Sequence, residues 1–163
     1  ETEESGNIVD SKSKLTNAEE DIILALFEFP DLGKHLFQVV DNEWIDDSQA
    51  SGRILNRILA EAEHGSWQGI NQMEEIVETE EERNYYYDLR SKEIQAENLV
   101  RGAEESVVKL FKRFIHKQLN TIDTELSKSA SLPFEDQLKL QKERIKLNRS
   151  LSTAPALQLP SDL

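Results

Sequence analysis

The sequence predicts an all-α fold: a small helical bundle followed by a long helix and a C-terminal helical hairpin. Three observations carry this. From residue 18 onward apolar side chains recur at three- and four-residue spacing, and no period-2 alternation runs long enough for a strand. Beyond residue 96 that spacing continues, unbroken by proline, to Leu126. A serine-rich turn then leads through Pro133 into another amphipathic stretch.

Residues 1–14 are polar, with Gly6 and several serines, and read as a linker arm. The first helix follows a capping box in which Thr16 accepts from orphan backbone N–H groups and Glu19 reaches back. Ala18, Ile22, Ala25 and Phe29 share its apolar face, flanked by Ile23 and Leu26. Pro30 ends it, because the residue before a proline is pushed out of the α region. A short second helix starts from Pro30 or from an Asp31 cap and carries Leu32, Leu36 and Val39 or Val40. Asn42 to Asp47 form an acidic connection anchored by Trp44 and Ile45. Asp46 or Asp47 is expected to cap a third helix with the stripe Ile54, Leu55, Ile58, Leu59 and Ala62, and Gly65 falls at its C′ position.

Trp67 pins the next turn. Ile70, Met73, Ile76 and Val77 make a short fourth helix, and residues 78–92 a fifth. Glu80, Glu81 and Glu82 lie in the first turn of the fifth, where the helix dipole favours acids. Its Tyr85, Tyr86 and Leu89 give it a sticky side, which reads as a binding surface or, more simply, as a half-buried helix face. The long helix is lined by Val100, Ala103, Val107, Leu110, Phe111, Phe114, Ile115, Leu119, Ile122 and Leu126. At 1.5 Å per residue its roughly 30 residues extend about 45 Å. Gly102 is a candidate hinge or close packing point. Ser127 to Ser131 make the turn, and the last helix runs from about Pro133 to Arg149. These readings divide the chain into the arm (1–14), a bundle (15–96), the long helix with its hairpin (97–151) and a tail (152–163).

The first half of the long helix can complete the bundle, whereas its second half projects. The last helix, about 25 Å long, can cover only the projecting part. Phe134, Leu138 and Ile145 fall on one row of it, and Leu140, Leu147 and Leu151 on another. A two-helix hairpin has one interface, so apolar surface is expected to stay exposed there, and such patches mark partner sites.

Charge divides the same way. The net charge is −13, yet residues 1–96 hold 23 acidic against 8 basic side chains, and residues 97–151 hold 8 against 11. An acidic body repels phosphate backbones, and the mildly basic segment reads as a solvated helix face, so little nucleic-acid binding is expected. The chain has no cysteine, which excludes disulfides and thiolate metal sites. His35, His64 and His116 lie far apart and lack the i, i+4 spacing of a helical zinc motif. The Asp46–Asp47 pair could hold magnesium, but capping explains it more simply. There is no phosphate loop, dinucleotide motif or nucleophile elbow. The carboxylates read as exposed or capping residues rather than as a catalytic pair. No apolar run approaches the roughly 20 residues that span a bilayer. The chain begins at Glu1 rather than Met and reads as a cytoplasmic fragment of a longer protein without catalysis of its own.

The order of elements resembles the C-terminal helicase-binding domain of bacterial DNA primases. The matching stretch begins with AEEDIILALFEFPDLGKHLFQVVDNEWIDD, residues 18–47. In that family an apolar helix ends at a proline, often as His-Pro. An acidic-Leu helix follows, then an acidic connection with a buried aromatic. Here these are Phe29-Pro30, Asp31-Leu32 and Trp44-Ile45-Asp46-Asp47, with Phe29 departing from the family's histidine. RILNRILAEAEHG (residues 53–65) and the long helix with its hairpin fit as well, so the likeness covers roughly residues 15–150.

The resemblance implies docking on the N-terminal domains of the hexameric replicative helicase, with the hairpin supplying much of the attachment. Apolar anchors would be Ile122, Leu126, Phe134, Leu138, Leu140 and Ile145, and the charged rim Lys139, Lys142, Arg144 and Lys146. Primer synthesis, zinc and magnesium would belong to other domains of such a primase. Two other readings of the same pattern are the N-terminal domain of the helicase itself and a generic helical scaffold whose hairpin pairs with a second copy.

Overall fold

The computed structural model describes residues 17–92 and 96–157, the side chains of Ala96 and Ser129 excepted. The described residues form an all-α fold of α1 (Ala18–Glu28), α2 (Gly33–Val39), α3 (Ala50–Glu63), α4 (Met73–Ile76), α5 (Glu80–Arg90), α6 (Ala96–Ser127) and α7 (Phe134–Ser150). Short 3-10 turns join them at Pro30–Leu32, Asn42–Trp44, Ile70–Gln72, Ser129–Ser131 and Leu151–Thr153. The expected arm and Thr16 lie outside the described residues.

Helix α1 is the centre of the bundle. Ile22, Ile23, Ala25 and Leu26 are fully buried, because α1 packs along α6 on one side and against α3 and the Ile70–Gln72 turn on others. Each such Ile or Leu contributes on the order of 1.5–3 kcal/mol by leaving water. The expected capping box is not what starts this helix. Asn17 is the cap, its side chain accepting from the N–H of Glu20 at 2.7 Å, while Glu19 turns inward. A variant of that device operates at α5: Thr79 Oγ1 accepts from the N–H of Glu82, and Glu82 accepts from the N–H of Glu78, one residue before the cap.

The stripe of α3 is buried as its spacing predicts, and Gly65 ends the helix with φ +76°. Neither Asp46 nor Asp47 caps it. Asp46 accepts from the N–H and Oγ of Ser48, closing its own turn, and α3 begins at Ala50 after an uncapped Gln49. The connection presses on α3 at Gly52, where a Cβ would lie 1.8 Å from the carbonyl oxygen of Asp46. Gly52→Ala therefore has to displace backbone. A loss of about 1–3 kcal/mol is expected, the usual range for overpacking. Urea denaturation reads this directly, and an unchanged midpoint would contradict the close approach. Gly102 is no such point. A Cβ there meets nothing within 4 Å, and α6 continues through it as regular helix.

The 32 residues of α6 serve two cores. Ala103, Val107 and Leu110 belong to the bundle core, and Phe111, Ile115 and Leu119 form a second cluster with Leu147, Leu151 and Ala154. Trp44 joins the two, its ring edge-on to Phe111 at 5.2 Å. The segment after α7 packs back over its described part: Leu151 and Ala154 cover the second cluster and Leu157 enters the bundle core. The C-terminal segment thus ties the hairpin to the bundle. Leu157→Ala is expected to destabilise the fold by about 2 kcal/mol, the low end for a buried leucine because Leu157 lies outside any helix and at the edge of the core. An unaltered urea midpoint would show that this tie contributes nothing.

Candidate partner-docking site

The hairpin is built from the second half of α6 and from α7. Helix α7 opens at Pro133, with Glu135 and Asp136 in its first turn and Arg149 in its last, both in the sense the helix dipole favours. The Nε2 of Gln137 donates to the carbonyl of Leu132 at 3.0 Å and closes the turn. Leu140, Arg144 and Leu147 follow Gln137 at three- and four-residue steps and face α6, which leaves each of them half-buried. Arg144 donates from Nε to Asp123 at 2.8 Å. Not one residue of α7 is fully buried.

This inner row leaves the other row outside. Phe134 is 77% exposed, Leu138 45% and Ile145 52%, and the remaining large apolar side chain of comparable exposure among the described residues is Tyr87 in the bundle. The sequence-predicted anchors therefore divide into three groups. Phe134, Leu138 and Ile145 form an outward row. Leu126 and Leu140 are half-buried in the hairpin seam, and Ile122 is buried on α6. Of the expected basic rim, Lys139, Lys142 and Lys146 are exposed, whereas Arg144 is drawn inward by Asp123. Arg149, outside the expected rim, extends the exposed set at i, i+4, i+7 from Lys142 and Lys146.

At the hairpin tip a pocket of about 460 Å³ is floored by Leu132 and Leu140 and rimmed by Glu125, Lys128, Asp136 and Lys139. A larger, more polar groove of about 780 Å³ runs beside Trp44, between the acidic connection and Arg113 and Lys117 of α6.

Three carboxylates that the sequence places at exposed or capping positions are buried instead: Glu19, Glu20 and Glu82. Glu19 pairs with Arg113 and accepts from the N–H of Asp46 at 3.1 Å, while Arg113 also donates to the carbonyl of Trp44 at 2.9 Å. This fastens the connection to α6 where bundle and hairpin meet. Glu20 accepts from the hydroxyl of Tyr85 and from Lys92, both at 2.9 Å. Burial, then the Glu20 carboxylate, pushes the Tyr85 phenol above its ordinary range. Ser106, fully buried on α6, donates to Asp21 at 3.1 Å. Glu82 lies between Arg53 and Arg57. Burial opposes its ionisation, but hydrogen bonds from Arg57, the Glu78 N–H and Arg53 outweigh that and bring its pKa to about 2. These groups are engaged with cations and hydrogen-bond donors and act as ties between elements. Among the described residues there is no group of three or more His, Cys, Asp or Glu placed to hold a metal ion. Nor is any helix there long and apolar enough to cross a membrane.

No family model, curated protein or solved structure matches the chain.

Proposed function

We propose that this chain is a helicase-interaction domain of the kind that ends bacterial DNA primases, attaching its parent protein to the N-terminal domains of the replicative helicase. The observation that carries the reading is the outward row of Phe134, Leu138 and Ile145, on a helix that uses its other row to pair with α6. An apolar row that the fold does not need, standing beside unpaired cations, is the anatomy of a docking surface: a hydrophobic anchor with a polar rim. The resemblance of residues 18–47 and 53–65 to the primase family supplies the identity of the partner. On this reading primer synthesis, and the zinc and magnesium it uses, belong to other domains of the parent chain. The bundle is the body through which the attachment is transmitted.

The test is gel filtration of the chain mixed with the hexameric replicative helicase of the same genome. The expected result is co-elution that persists at roughly micromolar concentration. Separate elution at concentrations about a hundred times higher would overturn the reading.

A further inference from the structure

We infer that the outer row of α7 receives an acidic amphipathic helix of another protein, and that charge keeps a second copy of this chain away from it. The inference rests on the docking reading of the hairpin and names the chemistry of what docks.

At about 100° per residue, Phe134, Leu138 and Ile145 fall within roughly 40° of one another around α7. Lys139, Lys142, Lys146 and Arg149 lie along one edge of that row, about 60–140° round from Phe134. All four are exposed, and none is in an ion pair among the described residues. Glu135, in the first turn, is the one acid on this edge. The opposite edge is Gln141 and Asn148, which are uncharged. Cations without an acidic partner among the described residues thus border the apolar row on one side, Arg144 on the other being paired with Asp123, in a chain whose net charge is −13. A complementary helix carries an apolar stripe at three- and four-residue spacing with Asp or Glu along one edge.

Symmetric pairing of two copies brings like charges together in either arrangement. If two α7 helices pack antiparallel along the row, the two-fold axis places both cationic edges on the same side, Lys139 and Lys142 of one copy beside those of the other. If they pack parallel, the cationic edges separate, but the two bundles then stand side by side, and residues 1–96 carry 23 acidic against 8 basic side chains. A head-to-tail contact with the bundle finds acidic charge but no stripe, since the apolar stripes of α1, α3 and α5 are buried and only Tyr87 there is a well-exposed large apolar residue among the described residues.

Three helical peptides with one leucine stripe and an edge of Glu, Gln or Lys test the inference by fluorescence anisotropy against the whole chain. The Glu peptide is expected to bind at least about tenfold more tightly than the Lys peptide, and added salt should narrow the gap. The triple variant Lys142→Glu, Lys146→Glu, Arg149→Glu should reverse the order. Sedimentation should show a monomer up to roughly 100 µM, well above typical specific affinities. Equal binding of the three peptides, binding of none, or self-association through the row would overturn the inference. Selective binding of the Glu peptide without a helicase complex would count against the proposed partner alone. A helicase complex indifferent to the charge reversal would count against the acidic helix alone.

Discussion

Replacing Phe134 and Leu138 together by alanine will leave the chain folded and, on the proposed docking, weaken binding to the replicative helicase about 100-fold, or roughly 2.7 kcal/mol. The two halves of this expectation come from one fact. Phe134 is 77% exposed and Leu138 45%, so the monomer gives up little buried area when they are truncated. The unfolding free energy should therefore change by less than about 1 kcal/mol. A partner that buries them completely loses two adjacent anchors. The inner row behaves in the opposite way. Leu140→Ala strips a contact between α6 and α7 and should lower stability first, with weaker binding as a consequence. Urea denaturation and helicase titration on both variants separate the cases. If the outer-row variant binds as tightly as the parent, or loses binding only together with its fold, the row is not the anchor.

Glu82→Ala will destabilise the chain by about 3 kcal/mol, because it removes the buried carboxylate shared by Arg53 and Arg57 and leaves them only the exposed Glu81 and Glu78. Glu82 is fully buried, and Arg53 and Arg57 each keep about a quarter of their side chain in water, which places the loss toward the low end for broken buried pairs. The pH dependence has a definite sign. The Glu82 carboxyl is held at about 2 against an ordinary 4.5. Its stabilisation is complete above the ordinary value and disappears as pH falls from about 4.5 toward 2. A shift of that size corresponds to roughly 3 kcal/mol. Acid titration of the parent should show a steep loss across this window. Glu82→Gln, which keeps the side-chain shape but not the charge, should flatten that limb. An identical acid limb in parent and variant would mean that the pair with Arg53 and Arg57 does not form.

What could be read from the sequence was local. Pro30 stops α1, Gly65 ends α3 with a positive φ, and the long helix keeps its three- and four-residue spacing, each of these being fixed by neighbours a few positions away. The division of α7 into Phe134-Leu138-Ile145 and Leu140-Leu147-Leu151 was legible for the same reason. Which row would face α6 was not, because that depends on the register of two helices joined by a turn. The buried carboxylates were misread because their partners are remote: Arg113 lies 94 residues from Glu19, and Arg57 25 residues from Glu82. A signal was nonetheless present. Glu82 shares an i, i+4, i+7 row with Tyr86 and Leu89, and Glu19 stands at the same spacings from Ile23 and Leu26. An acid on an apolar row, in a chain with arginines on other helices, points to a buried ion pair more than to a dipole effect. The return of Leu157 to the bundle core left no comparable trace, since the four residues between Pro155 and Pro160 are too few to show a helical periodicity.

We propose the outward row of α7 as the place where the replicative helicase holds this chain. The most direct test is an NMR footprint of the isotopically labelled chain upon addition of the helicase N-terminal domain. Signals of Phe134, Leu138, Ile145 and the adjoining Lys142, Lys146 and Arg149 should shift or broaden first, while Ile22, Ile54 and the rest of the bundle core remain in place. Perturbations centred on the groove beside Trp44, with α7 unchanged, would contradict it.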